Sequence, residues 1–375
     1  MKKILKYMSV GVVCVAAVLI ILEFLLECLY GIPNSERAKR AIPINENEPY
    51  IVQIASRDDY YNGVYAVKDV FSGLGDYTAR IDANGFIEPS KVHDEPDRTI
   101  LFLGGSTTEC ITVSEEKRYP YLVGRMLEEE TGYAVNSYNA GVGGGTSHDS
   151  LDTLIHKGLV LEPDIAILHH NINDLIMLLK YEDYCYTKTG ESYDFYWMQT
   201  AGSNPIGNGL KARLKNVWKQ LFPSISGRIA ALNTSKALPL PQNMQIEYDQ
   251  EVVFSKFRRN LEMFISICEI NDIRPVLMTQ ANRLGDEPDE LIKQLYEACG
   301  GYELGIEYSE FWKLYEKMND IIRTTADEYN VLCIDLEDNI ENSPEFFCDM
   351  VHYTDEGSVK AANVITRELL KILKE

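Results

Sequence analysis

Five short runs without helical period, Thr99–Leu103, Ala134–Tyr138, Asp164–His169, Pro275–Thr279 and Val331–Asp335, alternate along the chain with stretches whose apolar residues recur at helical spacing. Such runs, bounded by charge, glycine or polar clusters, read as strands buried on both faces. The helical patterns fall at about 118–130, 149–160, 250–270 and 309–329, and again where Val359, Ala362, Thr366, Leu369, Leu370 and Leu373 recur towards the C-terminus. Strands and helices in this alternation predict a parallel sheet covered on both sides, with ligands at the C-terminal ends of the strands.

Four segments at or beyond such strand ends carry the chemistry. The first is Gly104-Gly105-Ser106-Thr107-Thr108, after the run 99–103. Two glycines permit a sharp turn, and a serine opening the next helix offers its hydroxyl and its N–H to an anion. The competing reading is a helix cap, with Glu109 completing a capping box. The second is Asp349-Met350-Val351-His352, just before the C-terminal helical pattern. A serine hydroxyl needs a base, histidine suits that work near neutrality, and a carboxylate holds the imidazole in the right tautomer. The competing reading is a surface histidine with Asp349 as a turn residue. The third is the glycine-rich turn 141–145, after 134–138, with unshielded backbone N–H groups. The fourth is Asn171-Ile172-Asn173-Asp174, after 164–169, where the Asn173 amide can donate. Together the last two suit oxyanion stabilisation, although a glycine turn and a helix-opening Asn-Asp are also ordinary features.

On these four segments the chain resembles the SGNH (GDSL-type) hydrolases over roughly residues 97 to 375. The resemblance implies a flavodoxin-like three-layer α/β/α sandwich with a five-stranded parallel sheet. It implies Ser106 as nucleophile, His352 as base, Asp349 as its orienting acid, and Ser106, Gly144 and Asn173 as oxyanion donors. Gly105 stands where the family usually has Asp, and Asn171 where it usually has Gly, two places before the oxyanion asparagine. The stretch Phe102–Thr108, preceded by Asp82-Ala83-Asn84-Gly85-Phe86, is similar to the membrane-anchored envelope branch of the family.

The N-terminus reads as an anchor. Lys2, Lys3 and Lys6 precede an uncharged run from Tyr7 to Leu22, and apolar character continues to Tyr30, broken only by Glu23 and Glu27. That length spans a bilayer as a transmembrane helix, and the lysines predict a cytoplasmic N-terminus with the remainder extracytoplasmic. A cleaved signal peptide and a lipoprotein anchor at Cys28 are the alternatives. Domain boundaries follow: an anchor over 1–30, a linker and irregular region over 31–97, and a hydrolase domain over 98–375 interrupted by an insertion at about 175–248. That insertion is rich in aromatics, including Tyr181, Tyr184, Tyr186, Tyr193, Phe195, Tyr196, Trp197 and Trp218. They read as a rim for sugar or acyl groups, or as the insertion's own core. A second insertion is expected at about 281–308.

A net charge of −21 across 375 residues argues against a nucleic-acid partner, whose phosphates require clustered cations. The basic stripe Lys211, Arg213, Lys215 and Lys219 reads as a solvated helix face. The eight cysteines show no metal-ligand spacing. Cys268 and Cys333 read as buried thiols, and a disulfide among the other extracytoplasmic cysteines stays open. The expected activity is therefore that of a cofactor-free serine esterase acting on acyl esters of carbohydrate or lipid, acetyl esters of envelope carbohydrate foremost. O-acetyl transfer by the same residues, a lipase or lysophospholipase, and an inactive carbohydrate-binding or assembly module are the other readings.

Overall fold

A computed structural model describes residues 77–82, 84–110, 113–184, 247–297 and 304–373, with the short stretches 17–22 and 50–54 and the single positions 25, 218 and 225. The chain divides into two compact units, one formed by Met1–Ala38 with Asp194–Leu240 and the other by Lys39–Tyr193 with Pro241–Glu375. Nearly all of the first lies outside the described residues, as do most of the expected anchor over residues 7–30, most of the aromatic insertion and the basic stripe over 211–219. Among the described residues no helix is long and apolar enough to cross a membrane.

The second unit begins with an antiparallel pair, β1 (Tyr50–Ile54) and β2 (Tyr77–Ile81). Five parallel strands follow, β3 (Arg98–Gly104), β4 (Val135–Asn139), β5 (Ile165–His169), β6 (Arg274–Met278) and β7 (Leu332–Ile334). They lie in the order β4-β3-β5-β6-β7, the flavodoxin-like arrangement. The helices are α1 (Ser106–Glu109), α2 (Tyr119–Thr131), α3 (Ser147–Thr153), α4 (Ile172–Tyr181), α5 (Gln250–Ile270), α6 (Glu290–Tyr296), α7 (Tyr308–Tyr329), α8 (Leu336–Asn339) and α9 (Asp355–Leu373).

Alternation along the strands makes the three layers. Ile100, Phe102, Ile165, Ile167, Val276 and Met278 share one core with Tyr119, Val123 and Leu127 of α2 and with Ala362, Ile365 and Leu369 of α9. Leu101, Leu103, Ala166, Leu168 and Leu277 point to the other core, among Leu151, Leu175, Phe257, Phe264, Tyr315 and Met318. Period two along each strand and two buried faces explain why these segments carry no polar-apolar alternation in the sequence. On α5 the buried positions Val253, Phe257, Leu261, Phe264 and Cys268 recur every three or four residues, and Asp249 caps the helix by accepting from the Glu251 and Val252 N–H groups.

The elements depart from the sequence reading in four places. The helix expected at 149–160 begins at Ser147 under a capping box of Thr146 and Asp149, then widens into a π turn at Leu154–Gly158. At Gly158 a Cβ would stand 2.6 Å from Leu101 Cδ2, so the wide turn sits directly on the sheet. Helix α4 occupies the start of the expected insertion, because Ile172, Leu175, Leu178 and Leu179 are buried at helical spacing. Helix α6 forms inside the second expected insertion. The stretch before β3 is more than linker: Phe86 and Ile87 are buried, and Ile87 bridges to Asn139 at the end of β4. Cys268 and Cys333 are free thiols, and burial pushes each up to about 12.

Candidate active site

Ser106 opens α1 immediately beyond β3. Crowding rather than backbone twist favours glycine at the two positions before it. A Cβ at Gly104 would meet Thr108 Oγ1 at 2.1 Å, and one at Gly105 would meet Asn173 Nδ2 at 2.7 Å. Gly105 itself has an extended backbone, φ −85° and ψ −153°, which any residue could adopt. The capping-box reading does not describe this serine. Gly105 is the N-cap, no side chain caps α1, and Ser106 Oγ lies 2.7 Å from His352 Nε2.

His352 and Asp349 sit in a tight loop closed by an antiparallel bridge between Phe347 and Tyr353 and by the Cys348 N–H donating to the His352 carbonyl at 2.9 Å. Asp349 is almost fully buried there. Its Oδ2 is 2.6 Å from His352 Nδ1, and its Oδ1 accepts the N–H groups of Val351 at 2.9 Å and of His352 at 2.7 Å. Burial alone would raise this carboxyl; the His352 charge and these hydrogen bonds outweigh it and hold the group below the usual carboxylate range. Arg283 anchors the loop from the β6 side, its N–H donating to the Met350 carbonyl at 2.8 Å and its guanidinium to the Phe347 carbonyl at 3.3 Å. The three residues named from sequence thus meet in one chain of hydrogen bonds.

The glycine turn continues the sheet beyond β4. Ala140 N–H donates to the Phe102 carbonyl and Val142 N–H to the Gly104 carbonyl, which brings the turn alongside the Ser106 corner. Gly145 N–H then closes back on the Val142 carbonyl at 2.9 Å, with Gly144 exposed at φ +79°. Asn173, the second residue of α4, does not cap its helix; its Nδ2 donates to the Gly145 carbonyl at 2.8 Å. One amide hydrogen is used there, and among the described residues nothing accepts the other.

A buried polar layer lies beneath these groups, and the sequence reading did not find it. Asp174 accepts the Ser147 N–H at 3.1 and 3.0 Å, the Tyr184 hydroxyl at 2.7 Å and the Ser147 hydroxyl, which ties the start of α4 to the start of α3. Burial pushes its carboxyl up to about 7, although the Ser147 and Tyr184 hydrogen bonds pull the other way. His169 Nδ1 shares the Thr108 hydroxyl at 3.0 Å and the Tyr119 hydroxyl at 3.1 Å, and His170 Nε2 pairs with Ser150 Oγ at 2.7 Å. Burial pushes both histidines down to about 3, so both are neutral at physiological pH. The only advance signal was polar character at the end of an apolar run, His169-His170 after Ile165–Leu168.

No family model matches the chain, and no curated protein is similar to it in sequence. Solved structures are similar in shape. They include a lipolytic protein of the G-D-S-L family from Desulfitobacterium hafniense, at 12% identity and a TM-score of 0.40 over 72% of this chain and 99% of that one. An acetyl xylan esterase from Geobacillus stearothermophilus aligns at 15% identity and a TM-score of 0.42, over 73% of this chain and 94% of that one. A lipase/acylhydrolase from Enterococcus faecalis aligns at 16% identity and a TM-score of 0.41, over 73% and 96%.

The buried histidines predict how stability depends on pH. Their folded pKa values lie below the unfolded value of about 6.5, so between about pH 3 and 6.5 the unfolded chain binds protons that the folded chain does not, and stability rises with pH. Asp174, raised to about 7, acts in the opposite sense between about pH 4 and 7. His169→Gln should therefore flatten the rise measured by urea unfolding between pH 4.5 and 6.5, by about 1.4 kcal/mol per pH unit. An unchanged slope would mean that His169 is protonated in the folded protein.

Proposed function

We propose that the chain is a serine esterase in which Ser106, His352 and Asp349 form the catalytic triad. The observation that carries this reading is the pair of short contacts in series, 2.7 Å from Ser106 Oγ to His352 Nε2 and 2.6 Å from His352 Nδ1 to Asp349 Oδ2. Ser106 Oγ attacks the ester carbonyl as His352 Nε2 takes its proton. Asp349 keeps the other ring nitrogen protonated and stabilises the imidazolium. The carbonyl oxygen becomes an oxyanion held by the Ser106 N–H, which as a first-turn helix donor has no carbonyl partner within α1, by the Gly144 N–H, and by the unused Asn173 amide hydrogen. Collapse of the tetrahedral intermediate expels the alcohol, which leaves with the proton from His352. Water then releases the acyl group by the same steps in reverse order.

The proposed substrate is an acyl ester, acetyl foremost, of envelope or extracellular carbohydrate, and the proposed setting is the outer face of a membrane. What supports the setting is the uncharged run Tyr7–Leu22 behind Lys2, Lys3 and Lys6, which suits an N-terminal anchor with its start in the cytoplasm. An enzyme tethered there would meet envelope polymers rather than cytosolic metabolites.

Turnover of p-nitrophenyl esters of rising chain length, beside acetylated sugars, tests the activity and the substrate together. Acetyl esters should be favoured, and Ser106→Ala should lower kcat by on the order of ten-thousandfold or more with an unchanged thermal midpoint. Preference for long chains would move the substrate to lipid, and full activity in Ser106→Ala would remove the triad. For the setting, protease added to intact spheroplasts should digest the chain beyond about residue 30. Protection until lysis would put the esterase on the inner side.

A further inference from the structure

Gln280 lies two residues beyond β6, on a strand that supplies no member of the triad, and it is buried. Its side-chain amide joins two helix starts. Oε1 accepts the Ile172 N–H at 3.0 Å, and Nε2 donates to Thr107 Oγ1 at 2.9 Å. The backbone donor at Ile172 fixes which end of the amide is oxygen. Ile172 directly precedes Asn173, and Thr107 directly follows Ser106. The amide therefore bridges the neighbours of two of the proposed oxyanion donors.

Among the described residues no other side chain does this job at α4. The N-cap Asn171 makes no capping bond: its Nδ2 donates to the Tyr315 carbonyl at 3.0 Å and to Asn319 Oδ1 at 2.9 Å, while its Oδ1, the atom that could accept a first-turn N–H, has no partner among the described residues. The first N–H of α4, that of Ile172, is thus satisfied from the end of a different strand. Gln280 is itself held on several sides. Its N–H donates to Asn319 Oδ1 at 3.0 Å, its carbonyl accepts Asn319 Nδ2 at 3.0 Å, and the Tyr315 hydroxyl reaches both its carbonyl and its Oε1. A side chain with both backbone groups and both amide atoms engaged has little freedom to move.

We propose that Gln280 is a positioning residue that sets the separation of the Ser106 N–H and the Asn173 amide, and through them the shape of the oxyanion hole. This rests on the esterase reading above. Donors of an oxyanion hole act only when aimed at the charge that develops in the transition state, and displacement of about 1 Å costs on the order of a hundredfold in rate. The loss should therefore fall on kcat and spare KM, unlike a general loss of stability.

Gln280→Met keeps the volume and removes both bridging bonds. It should lower kcat tenfold to a hundredfold with KM within twofold, and its effect should be much smaller once Asn173→Ala is already present, because both changes then remove one function. Leu127→Ala, in the core on the opposite face of the sheet, serves as a control that lowers the thermal midpoint without lowering kcat. A Gln280→Met protein with near-normal kcat, or losses that multiply in full with Asn173→Ala, would overturn the proposal. If Gln280→Met does not fold, Thr107→Val removes only the α1 end of the bridge: a severalfold fall in kcat supports the proposal and an unchanged kcat overturns it. Ser106→Ala separates the two levels. An inactive Ser106→Ala beside a normal Gln280→Met refutes the positioning role alone, whereas an active Ser106→Ala refutes the esterase reading beneath it.

Discussion

Strand β3 is hydrogen-bonded on both edges to parallel neighbours, β4 on one side and β5 on the other, and the chain must cross back over β3 to pass between them. The connections beyond these strands therefore diverge at the C-terminal end of β3 and leave a crevice there. Ser106 occupies the corner, the glycine turn follows β4, and Asn173 follows β5. The Asp349–His352 loop arrives separately, after β7 and α8, and is held by Arg283 from the end of β6. Sheet order thus brings Ser106, the glycine turn and Asn173 together, and Arg283 holds the triad loop.

Burial sets the electrostatics of that crevice. Asp349 is stripped of water yet stays charged, because His352 and two backbone N–H groups compensate it. Asp174, equally buried, faces hydroxyls, one N–H and, at 3.6 Å, the ring of His170, which burial keeps neutral, and is instead driven towards its protonated form. Two carboxyls on the same scaffold are pushed apart by their partners. The first is suited to stabilise a transient imidazolium, the second to knit α3 to α4. His169 and His170, neutral through desolvation, belong with the second role.

Much of the fold was legible because fully buried strands leave an unmistakable pattern. The five parallel strands lie within a residue or two of the runs read from sequence, and the flavodoxin-like order matches the expectation drawn from the family resemblance. The meeting of Ser106, Asp349 and His352 is what the family resemblance implies, and their side chains lie in one chain of hydrogen bonds. Helix α4 was hidden because an insertion was expected to begin at Leu175, although Ile172, Leu175, Leu178 and Leu179 carry helical spacing. In the sequence Gly104 and Gly105 look like turn formers, whereas what favours them is the approach of Thr108 and Asn173, which only the assembled fold reveals. Gln280 and Asp174 were hidden for a related reason: polar residues carry no periodic mark that separates a buried amide from a solvated one.

The central claim is that the hydrogen bonds joining Asp349, His352 and Ser106 turn one serine hydroxyl into a nucleophile. Reaction with a fluorophosphonate, followed by peptide mass spectrometry and by the rate of adduct formation, measures this directly. The account predicts a single phosphonyl adduct on Ser106, formed far more slowly in His352→Ala. An adduct on another residue, or an undiminished rate in His352→Ala, would contradict it.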